Sequence, residues 1–585
     1  MLQQGLQANQ SDNRRCSLYT FFFCVLLVAV CYANSVTNAF ILDDVLIVAA
    51  NERIRSVQPI QFLFQPYWQD REHAGIYRPL TIFSFSLEYS IWKAWAPGFR
   101  LTNLLLHALN GWLVFLIVRG LLGSPLAAWA SAALYLAHPV QTEAVVSIVG
   151  RSELLAATLF FAAWLAFRNG RTAWSCLAYL LAILAKESAI TLPAIAALDL
   201  ALSERSIHKL IESWKRFAAL AACGVAYLAL RFYVLGGLGV PASGQYLQGA
   251  WMRGQLLLTS GRVFLEYLRL LFAPVNVTGD YDFNSIPLAT VRDWDAWLGL
   301  TLILACVSVA LWNTKKRPGI SLGILFFFVA LLPVSNWIMP IALLMAERFL
   351  YTPVFGFSLL VGMCWAAIPT MEIRRVTAIG ILAIAALLCI SHNYIWQDTL
   401  TFHTNVVRLL PDNARARLGY GYALMRLGKF EEAHSQFEEG LRILPKSAPL
   451  LAGLAGAVMQ TDGQCARVLP ILDQTFAVAP GQWQGLWILG DCFVTEGNLQ
   501  LAERSYGLAV KNAPFPDGRL LISWGNTLER MGNVATAQAA YERGIRIDPT
   551  LFRNGRPIEI LQYAQPAGTN ATPDPTSSSW LHSES

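Results

Sequence analysis

Two adjacent carboxylates, Asp43 and Asp44, are the first residues of this chain with an obvious capacity for chemistry. Apolar residues flank them on both sides, Phe40-Ile41-Leu42 before and Val45-Leu46-Ile47 after. Paired acids in a low-dielectric setting have raised pKa values and can take a proton from an attacking hydroxyl. The same pair could instead start a helix or be solvated at a membrane surface. The pattern therefore gives Asp43 and Asp44 as candidate bases and leaves both alternatives open.

A second group of candidates consists of cations and acids at the edges of apolar segments. The cations are Arg78, Arg151, Lys186 and Arg348; the accompanying residues are His138, Glu143, Glu153 and Glu187. A charge inside a bilayer costs at least about 2.5–3.5 kcal/mol, so such residues need partners or a function. Any single one is explained by an ion pair or by an arginine that extends to the surface. Acids beside several cations at one face also suit a site that holds a phosphate and deprotonates an acceptor.

These residues lie between segments that are long and apolar enough to cross a membrane. The chain has 585 residues, of which 55% are hydrophobic and 14% charged, and its mean hydropathy is +0.44. Soluble domains carry about 25% charged residues. Eleven spans are predicted, at about 16–33, 100–119, 126–142, 152–168, 173–185, 188–203, 217–235, 296–313, 319–338, 349–367 and 375–392. We expect a polytopic α-helical membrane domain over residues 1–395.

Basic clusters between the spans predict the orientation. Alternate placement puts Arg14-Arg15, Arg168/Arg171, 205–216, 315–317 and 374–375 all on one side, which the positive-inside rule makes the cytosol. The first run is interpreted as an uncleaved anchor instead of a signal peptide. The loop 36–98, the candidate residues and everything after about residue 393 are then extracytoplasmic, in the periplasm or the ER lumen. The stretch 255–273 is interpreted as an interfacial helix; as a span it would invert the later segments.

The last third of the chain repeats. Pro411, Pro445, Pro480, Pro514 and Pro549 recur at intervals of 34, 35, 34 and 35 residues, the period of tetratricopeptide repeats (TPRs). Residues 396–563 are therefore predicted to form an α-solenoid of about four helical hairpins, whose concave surface suits an extended peptide. The complete chain is thus expected to be all-α.

Finer features of the repeats are less regular. The second repeat, 448–480, has Ala455 in the place of a glycine, and Cys465 and Cys492 in neighbouring repeats leave a disulfide open. The Pro- and Ser-rich tail, 564–585, is predicted to be disordered.

Some classes of function are disfavoured. The net charge of +6 is small for this length and lies in the inter-span clusters, so we expect no nucleic-acid partner. The cysteines show no metal-ligand spacing, and we expect neither a metal nor a cofactor. Transport is disfavoured because the charged groups collect at one face instead of forming a path at the membrane midplane.

At this point the motifs resemble a known family, the transmembrane and tetratricopeptide-repeat-containing proteins, which are fold type C (GT-C) glycosyltransferases proposed as protein O-mannosyltransferases. The segments that carry the resemblance are LDD at 42–44, YRPLT at 77–81, LTNLLLHALN at 101–110, AHPVQTEAVVSIVGRSELLA at 137–156, AKESAITLP at 185–193, DYDF at 280–283 and MAERFLYTP at 345–353. Together with the order of spans before repeats, they make the resemblance specific.

The resemblance implies an enzyme that takes a sugar, mannose by analogy, from a polyprenyl-phosphate lipid and transfers it to Ser/Thr hydroxyls. Asp43 or Asp44 would be the base, and Arg78, Arg151, Lys186 and Arg348 would bind the donor phosphate. His138, Glu143, Glu153 and Glu187 would support them, while the repeats recruit the acceptor protein and the spans contact membrane lipids. Two alternatives stay open: a non-catalytic membrane scaffold for envelope assembly, and a glycosyltransferase that acts on a lipid or glycan acceptor.

Overall fold

The computed structural model describes residues 18–68, 75–204, 207–237, 253–281, 285–338, 341, 343–547, 551–553 and 556–557. Nearly all of the secondary structure within these ranges is helical, which confirms the all-α class. Two two-residue strands, β1 Phe552–Arg553 and β2 Arg556–Pro557, pair antiparallel. The predicted disordered tail and the basic pair Arg14-Arg15 lie outside the described residues.

The chain divides into two compact units, Met1–Phe402 and His403–Ser585. Helices of the first unit are α1 Leu18–Ser35, α2 Pro59–Phe62, α3 Pro79–Trp92, α4 Ala96–Leu122, α5 Pro125–Ala137, α6 Thr142–Val146, α7 Arg151–Arg168, α8 Thr172–Ala185, α9 Leu192–Glu204, α10 Ile207–Glu212, α11 Trp214–Leu235, α12 Arg253–Phe272, α13 Trp294–Asn313, α14 Pro318–Leu331, α15 Val354–Ala366 and α16 Met371–Ile395. Helix α17, Thr399–Leu409, crosses the boundary between the units.

Membrane-length helices dominate the first unit. Among the described residues, six helices of 18–27 residues are apolar enough to cross a bilayer: α1, α4, α7 with the turn before it, α11, α13 and α16. Four shorter apolar helices, α5, α8, α14 and α15, accompany them. These ten coincide with ten of the eleven predicted spans, and the chain is a multi-pass membrane protein. The predicted count of eleven stays a prediction.

Two predicted span boundaries were wrong. The span predicted at 188–203 is not one helix, since a 3-10 turn occupies Glu187–Thr191 and α9 begins only at Leu192. The span predicted at 126–142 ends at Ala137 because Pro139 disfavours the helical conformation at His138, which is extended (ψ 122°). The first extracytoplasmic loop, predicted at 36–98, contains a complete helix, α3, and Pro79 at its first position is favourable for starting it. The placement of this loop stays a prediction.

Aromatic packing and one polar cluster fix the centre of the first unit. The Trp164 ring of α7 stacks on Phe326 of α14 at 5.6 Å and meets Phe355 of α15 at 5.3 Å. Nearby, the Tyr351 hydroxyl lies 2.8 Å from Nδ1 of His107 and accepts a hydrogen bond from Asn110 at 2.9 Å. These contacts tie α4 to the segment before α15, and this segment carries Arg348.

The second unit contains four helical hairpins, as the proline spacing predicted. Their helix pairs are α18 Ala414–Arg426 with α19 Phe430–Ile443, α20 Ala448–Asp462 with α21 Cys465–Val478, α22 Trp483–Thr495 with α23 Leu499–Asn512, and α24 Gly518–Arg530 with α25 Val534–Ile547. The second hairpin is atypical, because α20 has 15 residues where its counterparts have 13.

Three hairpins use one packing device, a glycine of the first helix beneath an aromatic ring of the second. A Cβ atom on Gly421, Gly490 or Gly525 would lie only 2.4–2.6 Å from the ring of Phe437, Tyr506 or Tyr541, respectively. Only glycine lets these helices approach so closely. Cys465 and Cys492 are buried free thiols, so the disulfide that the sequence left open is not formed.

Candidate functional site

Asp43 and Asp44 follow α1 by a short turn in which Leu42 has a positive φ of 50°. The chain then continues into a single π-helical turn, Val45–Ala49. Successive side chains on a helix point about 100° apart, so the two carboxylates face different surroundings. Asp44 is completely buried, whereas Asp43 is half-buried.

Asp44 is held by protein contacts. Its Oδ1 accepts hydrogen bonds from the Ser147 hydroxyl at 3.2 Å and from the Val149 amide at 2.9 Å. The buried guanidinium of Arg100 lies 3.9 Å from its Oδ2. Burial raises the pKa of Asp44 to about 6, and the positive charge of Arg100 opposes this shift. Asp44 therefore joins the first loop to the segment between α6 and α7.

Asp43 is the carboxylate that remains available. Within the ranges that the structure describes, no hydrogen bond or ion pair engages it. Asp43 interacts electrostatically with Arg348. Burial by itself would lower the pKa of this arginine, but the negative charges of Glu143 and Asp43 outweigh burial and raise it. Asp43 also contributes, with Arg78 and Arg348, to the electrostatic environment of the Tyr67 hydroxyl. Asp43, Tyr67, Arg78 and Arg348 thus form one electrostatically coupled group.

Arg78 lies immediately before α3 and is oriented by Glu187. Its Nε and Nη2 donate to the two oxygens of that carboxylate at 3.0 and 2.6 Å, a bidentate pair. The guanidinium carbon lies 5.5 Å from the centre of the Tyr67 ring. Burial by itself would raise the pKa of Glu187, but the positive charge of Arg78 lowers this pKa to about 2. The pair is therefore ionised at neutral pH.

Arg348 is the most accessible of the predicted cations, with 33% of its side chain exposed. The carboxylate of Glu143, only 1% exposed, accepts from both its backbone amide, at 2.7 Å, and its Nη1. Among the described residues, Nε and Nη2 of Arg348 have no recorded partner. Two of its donors therefore remain for an anion.

Lys186 is close to Arg348 but buried. Its ammonium pairs with Glu153, and both side chains are at most 5% exposed. The Phe349 ring links the two cations, since its centre lies 5.5 Å from Nζ of Lys186 and 5.6 Å from Cζ of Arg348. Burial lowers the pKa of Lys186, and the positive charges of Arg78 and Arg348 act in the same direction. Lys186 therefore contacts the same Phe349 ring as Arg348 but is buried in its pair with Glu153.

Arg151 is separated from solvent by its contacts. It donates to both oxygens of Glu88 at 2.6 and 3.0 Å, to Asn103 Oδ1 at 2.5 Å and to the Phe99 carbonyl at 2.8 Å. Its side chain is 1% exposed. These contacts join α3, α4 and α7. Its predicted binding of phosphate stays a prediction, and the geometry favours a role in holding the site together.

His138 also has a structural environment. Its Nε2 lies 3.0 Å from the Leu271 carbonyl, and its Nδ1 accepts from the Val140 amide at 3.3 Å. Burial lowers the pKa of His138 to about 4, so the ring is neutral at pH 7. It therefore fastens the end of α12 to the turn after α5.

Sequence reasoning missed two residues at the site, Tyr67 and Glu347. The carboxylate of Glu347 is fully buried and accepts from the Tyr281 hydroxyl at 2.7 Å and the Thr278 amide at 3.2 Å. Burial and the charge of Glu143 raise the pKa of Glu347 to about 8. Glu347 belongs to the MAERFLYTP segment and Tyr281 to DYDF, so the motifs contained the signal; residues 282–283 of DYDF lie outside the described residues.

Three comparisons with known proteins bear on these units. Models of the tetratricopeptide repeat match residues 402–448 and 519–551. Protein O-mannosyl-transferase TMTC3 of Mus musculus is 24% identical over 90% of this chain and 63% of its own length. Protein O-mannosyl-transferase TMTC4 of Homo sapiens is 27% identical over 68% of this chain and 63% of its own length. The crystal structure of MamA covers 26% of this chain and 87% of its own, at 18% identity and a TM-score of 0.20.

These findings confirm the resemblance: the repeats are present, and the homologues are transmembrane, tetratricopeptide-containing protein O-mannosyl-transferases. The chain spans about 63% of the length of the curated relatives it matches.

Proposed function

We propose that this protein is a membrane glycosyltransferase that transfers mannose from a polyprenyl-phosphate donor to Ser/Thr hydroxyls of extracytoplasmic proteins. The observation that carries the proposal is the contrast between two carboxylates. Asp44 is buried and hydrogen-bonded, whereas Asp43 is half-buried, has no hydrogen bond or ion pair within the described residues, and interacts electrostatically with Arg348. A free carboxylate beside an arginine with free donors is what base catalysis next to a leaving phosphate requires. The mannosyl-transferase names of the relatives support this chemistry.

In the proposed reaction, Asp43 accepts the proton of the acceptor hydroxyl as that oxygen attacks C1 of the sugar. The bond between C1 and the phosphate oxygen breaks, and its electron pair leaves with the polyprenyl phosphate. Arg348 and Arg78 stabilise the negative charge on that phosphate. Direct attack inverts the sugar carbon, and Asp43 then gives its proton to water, which completes the balance.

The acids beside the arginines orient them. Glu187 holds the guanidinium of Arg78 through two hydrogen bonds, which fixes its plane before the donor binds. Glu143 accepts from the backbone amide and from Nη1 of Arg348, which positions that residue through one guanidinium contact. Lys186, with its partner Glu153, contributes positive field instead of a direct contact. Arg151 and His138 keep the surrounding helices in register.

The second unit is proposed to recruit the acceptor protein. Its third hairpin presents two half-buried tryptophans, Trp483 and Trp487, whose rings stack at 6.4 Å. Aromatic side chains are enriched where proteins bind one another. The basic clusters between the spans support an extracytoplasmic location for both Asp43 and the repeats, and this topology is part of the proposal.

A transfer assay with the purified full-length chain in lipid nanodiscs tests this function. Polyprenyl-phosphate mannose with a radiolabelled sugar is supplied together with a mixture of secreted proteins. We expect label in the protein fraction that alkaline β-elimination releases. Label only in lipid or free glycan would identify the acceptor as non-protein. Absence of transfer by the wild type from this donor, with the chain intact by gel filtration, would contradict the proposal.

A further inference from the structure

We infer that Cys465 and Cys492, two buried thiols of the second unit, are a redox-active pair that a small disulfide oxidises to a bond between the second and third hairpins. The inference goes beyond the proposed sugar transfer and does not depend on it. Both thiols are reduced in this structure. The disulfide is therefore a second covalent state of the repeats.

The two thiols lie in direct contact. Cys465 is the first residue of α21 and Cys492 lies on α22, so the pair connects neighbouring hairpins. The thiols hydrogen-bond to each other. The Thr495 hydroxyl lies 3.3 Å from the Cys465 sulfur and donates to the Cys492 carbonyl at 2.7 Å. A disulfide bond is about 2 Å long, so forming one from hydrogen-bonded thiols needs only a small movement of two side chains.

The two thiols differ in acidity, as a two-step oxidation requires. The hydrogen bond from Cys492 lowers the pKa of the Cys465 thiol, although burial and the charge of Glu496 oppose this shift. The same hydrogen bond, together with burial, raises the pKa of the Cys492 thiol. Cys465 also begins α21, and the start of a helix favours a thiolate. Cys465 is therefore the thiol that attacks first.

Access to the pair is also unequal. Helix α20 ends at Asp462, and Gly463, with a φ of 65°, turns the chain so that Gln464 is exposed immediately before Cys465. Cys465 itself is 7% exposed, against 1% for Cys492. A small oxidant that approaches this surface turn thus meets the more acidic thiol first.

Oxidation consists of two thiol–disulfide exchanges. In the first, the Cys465 thiolate attacks one sulfur of the oxidant, the S–S bond of the oxidant breaks, and one small thiolate leaves. In the second, the Cys492 sulfur loses its proton and attacks the Cys465 sulfur, which releases the other small thiolate. The two cysteines together lose two electrons, and the oxidant is reduced to two small thiols that take the two protons.

The pair lies where the repeats lack their usual packing device. The other three hairpins place a glycine of the first helix beneath an aromatic ring of the second, whereas the second hairpin has Ala455 in the place of that glycine. Cys465 begins the second helix of this same hairpin. A covalent bond to Cys492 closes the loop between the two residues, and such closure stabilises a fold mainly by restricting the unfolded chain. The disulfide thus fastens the atypical hairpin to its neighbour.

Mass spectrometry of the full-length chain in nanodiscs tests the inference without requiring sugar transfer. The protein is reduced, freed of reductant, equilibrated with oxidised glutathione and alkylated. Trypsin cleaves after Arg467 and separates peptide 447–467, which contains Cys465, from peptide 468–504, which contains Cys492. We expect the two peptides to be joined, in at least about tenfold excess over either peptide carrying glutathione, because the second exchange is intramolecular.

Cysteine variants provide the controls. Cys465→Ser and Cys492→Ser should each abolish the joined peptide, and Cys364→Ser, a matched change at an exposed cysteine of α15, should leave its yield unchanged. Oxidation should slow hydrogen exchange of α21 and α22 at least about tenfold in the wild type and in Cys364→Ser, and in neither of the other variants.

The result on the wild type decides the inference even where a variant does not fold. Joined peptides with slower exchange would support it. Glutathione on Cys465 with Cys492 still alkylated, or joined peptides whose exchange is unchanged by oxidation, would overturn it.

Discussion

The two compact units of this protein use charge in opposite ways. The first unit contains buried ion pairs: the Arg151 side chain is 1% exposed, and Glu153 with Lys186 at most 5%. In the second unit the pairs lie on helix surfaces: Lys429 with Glu432, 52% and 55% exposed, is typical. A buried charge is costly unless it is paired or needed for function, whereas an exposed pair costs and contributes little.

This difference indicates which unit contains the candidate reaction site and which unit provides a packed surface. The first unit combines buried paired charges with one half-buried carboxylate, Asp43, and we propose this group as the reaction site. The second unit is shaped by glycines packed under aromatic rings, an arrangement that produces a regular surface and no chemistry. Each of the following changes should affect one unit in a way that its counterpart in the other unit does not.

Arg151→Ala should have the largest effect on stability. Removing it leaves the nearly buried Glu88 carboxylate without its partner, and breaking a buried pair costs about 3–5 kcal/mol. The matched change in the second unit is Arg442→Ala, which removes an arginine that is 75% exposed from its pair with Glu439. We expect a loss of at most about 0.5 kcal/mol there. Thermal unfolding in detergent measures both; equal losses would contradict the comparison.

Arg348→Ala should reduce kcat/KM for transfer by about 10²–10³-fold, because a positioned donor to the leaving phosphate is removed. Because Glu143, 1% exposed, keeps the backbone amide of residue 348 but loses the guanidinium, stability should also fall, so the melting temperature is measured beside the rate. Arg348→Lys keeps the positive charge but loses the planar guanidinium that can donate two parallel hydrogen bonds, so partial activity is expected. Steady-state kinetics with polyprenyl-phosphate mannose provides the measurement. Full activity in Arg348→Ala would remove this residue from the site.

Gly490→Ala tests the packing of the second unit. The added Cβ would lie 2.6 Å from the Tyr506 ring, and overpacking of this kind costs about 1–3 kcal/mol. Gly507 of α23 is the control: an added Cβ there lies 3.8 Å from its nearest neighbour, so Ala should stabilise the helix by about 0.5–1 kcal/mol. Hydrogen exchange of peptides from 483–512 reports both. Faster exchange in Gly507→Ala would contradict this account.

Glu347 should give a dependence of stability on pH. Its pKa is about 8 in the folded protein against a usual 4.5. The folded state therefore binds more protons in that window, so stability falls as pH rises, by at most about 1.4 kcal/mol per unit. The pKa of Asp44 is raised to about 6. This carboxylate therefore also makes stability fall as pH rises, but only below that pH. Between pH 6 and 8, Glu347→Gln should flatten the melting-temperature profile; an unchanged slope would refute the assignment.

Much of the architecture could be predicted because it depends on local pattern. Apolar runs of span length gave ten of the helices, and the proline period gave all four hairpins. Predicted boundaries failed where backbone chemistry intervenes, as at Pro139 after α5. The predicted span from 188 failed because Lys186 and Glu187 take ion-pair partners in other segments.

The candidate site could be predicted in residue type but not in role. Asp43 and Asp44 are identical in the sequence, and they differ only because Ser147, Val149 and Arg100 meet one of them. Arg151 and Arg348 are equivalent candidates for phosphate ligands in the sequence. In the structure Arg151 is paired with Glu88, whereas Arg348 keeps free donors within the described residues. Such differences arise from contacts across 50 to 200 residues of chain, which no local pattern encodes.

The most direct test of the account is a comparison of Asp43→Asn with Asp44→Asn. Both proteins are purified at full length, and the rate of mannose transfer is measured beside the melting temperature. The account predicts that Asp43→Asn loses about 10²–10⁴-fold in kcat, the usual contribution of a general base, with an unchanged melting temperature. Asp44→Asn should instead melt lower and keep kcat while folded. Loss of transfer in Asp44→Asn alone, with Asp43→Asn fully active, would contradict it.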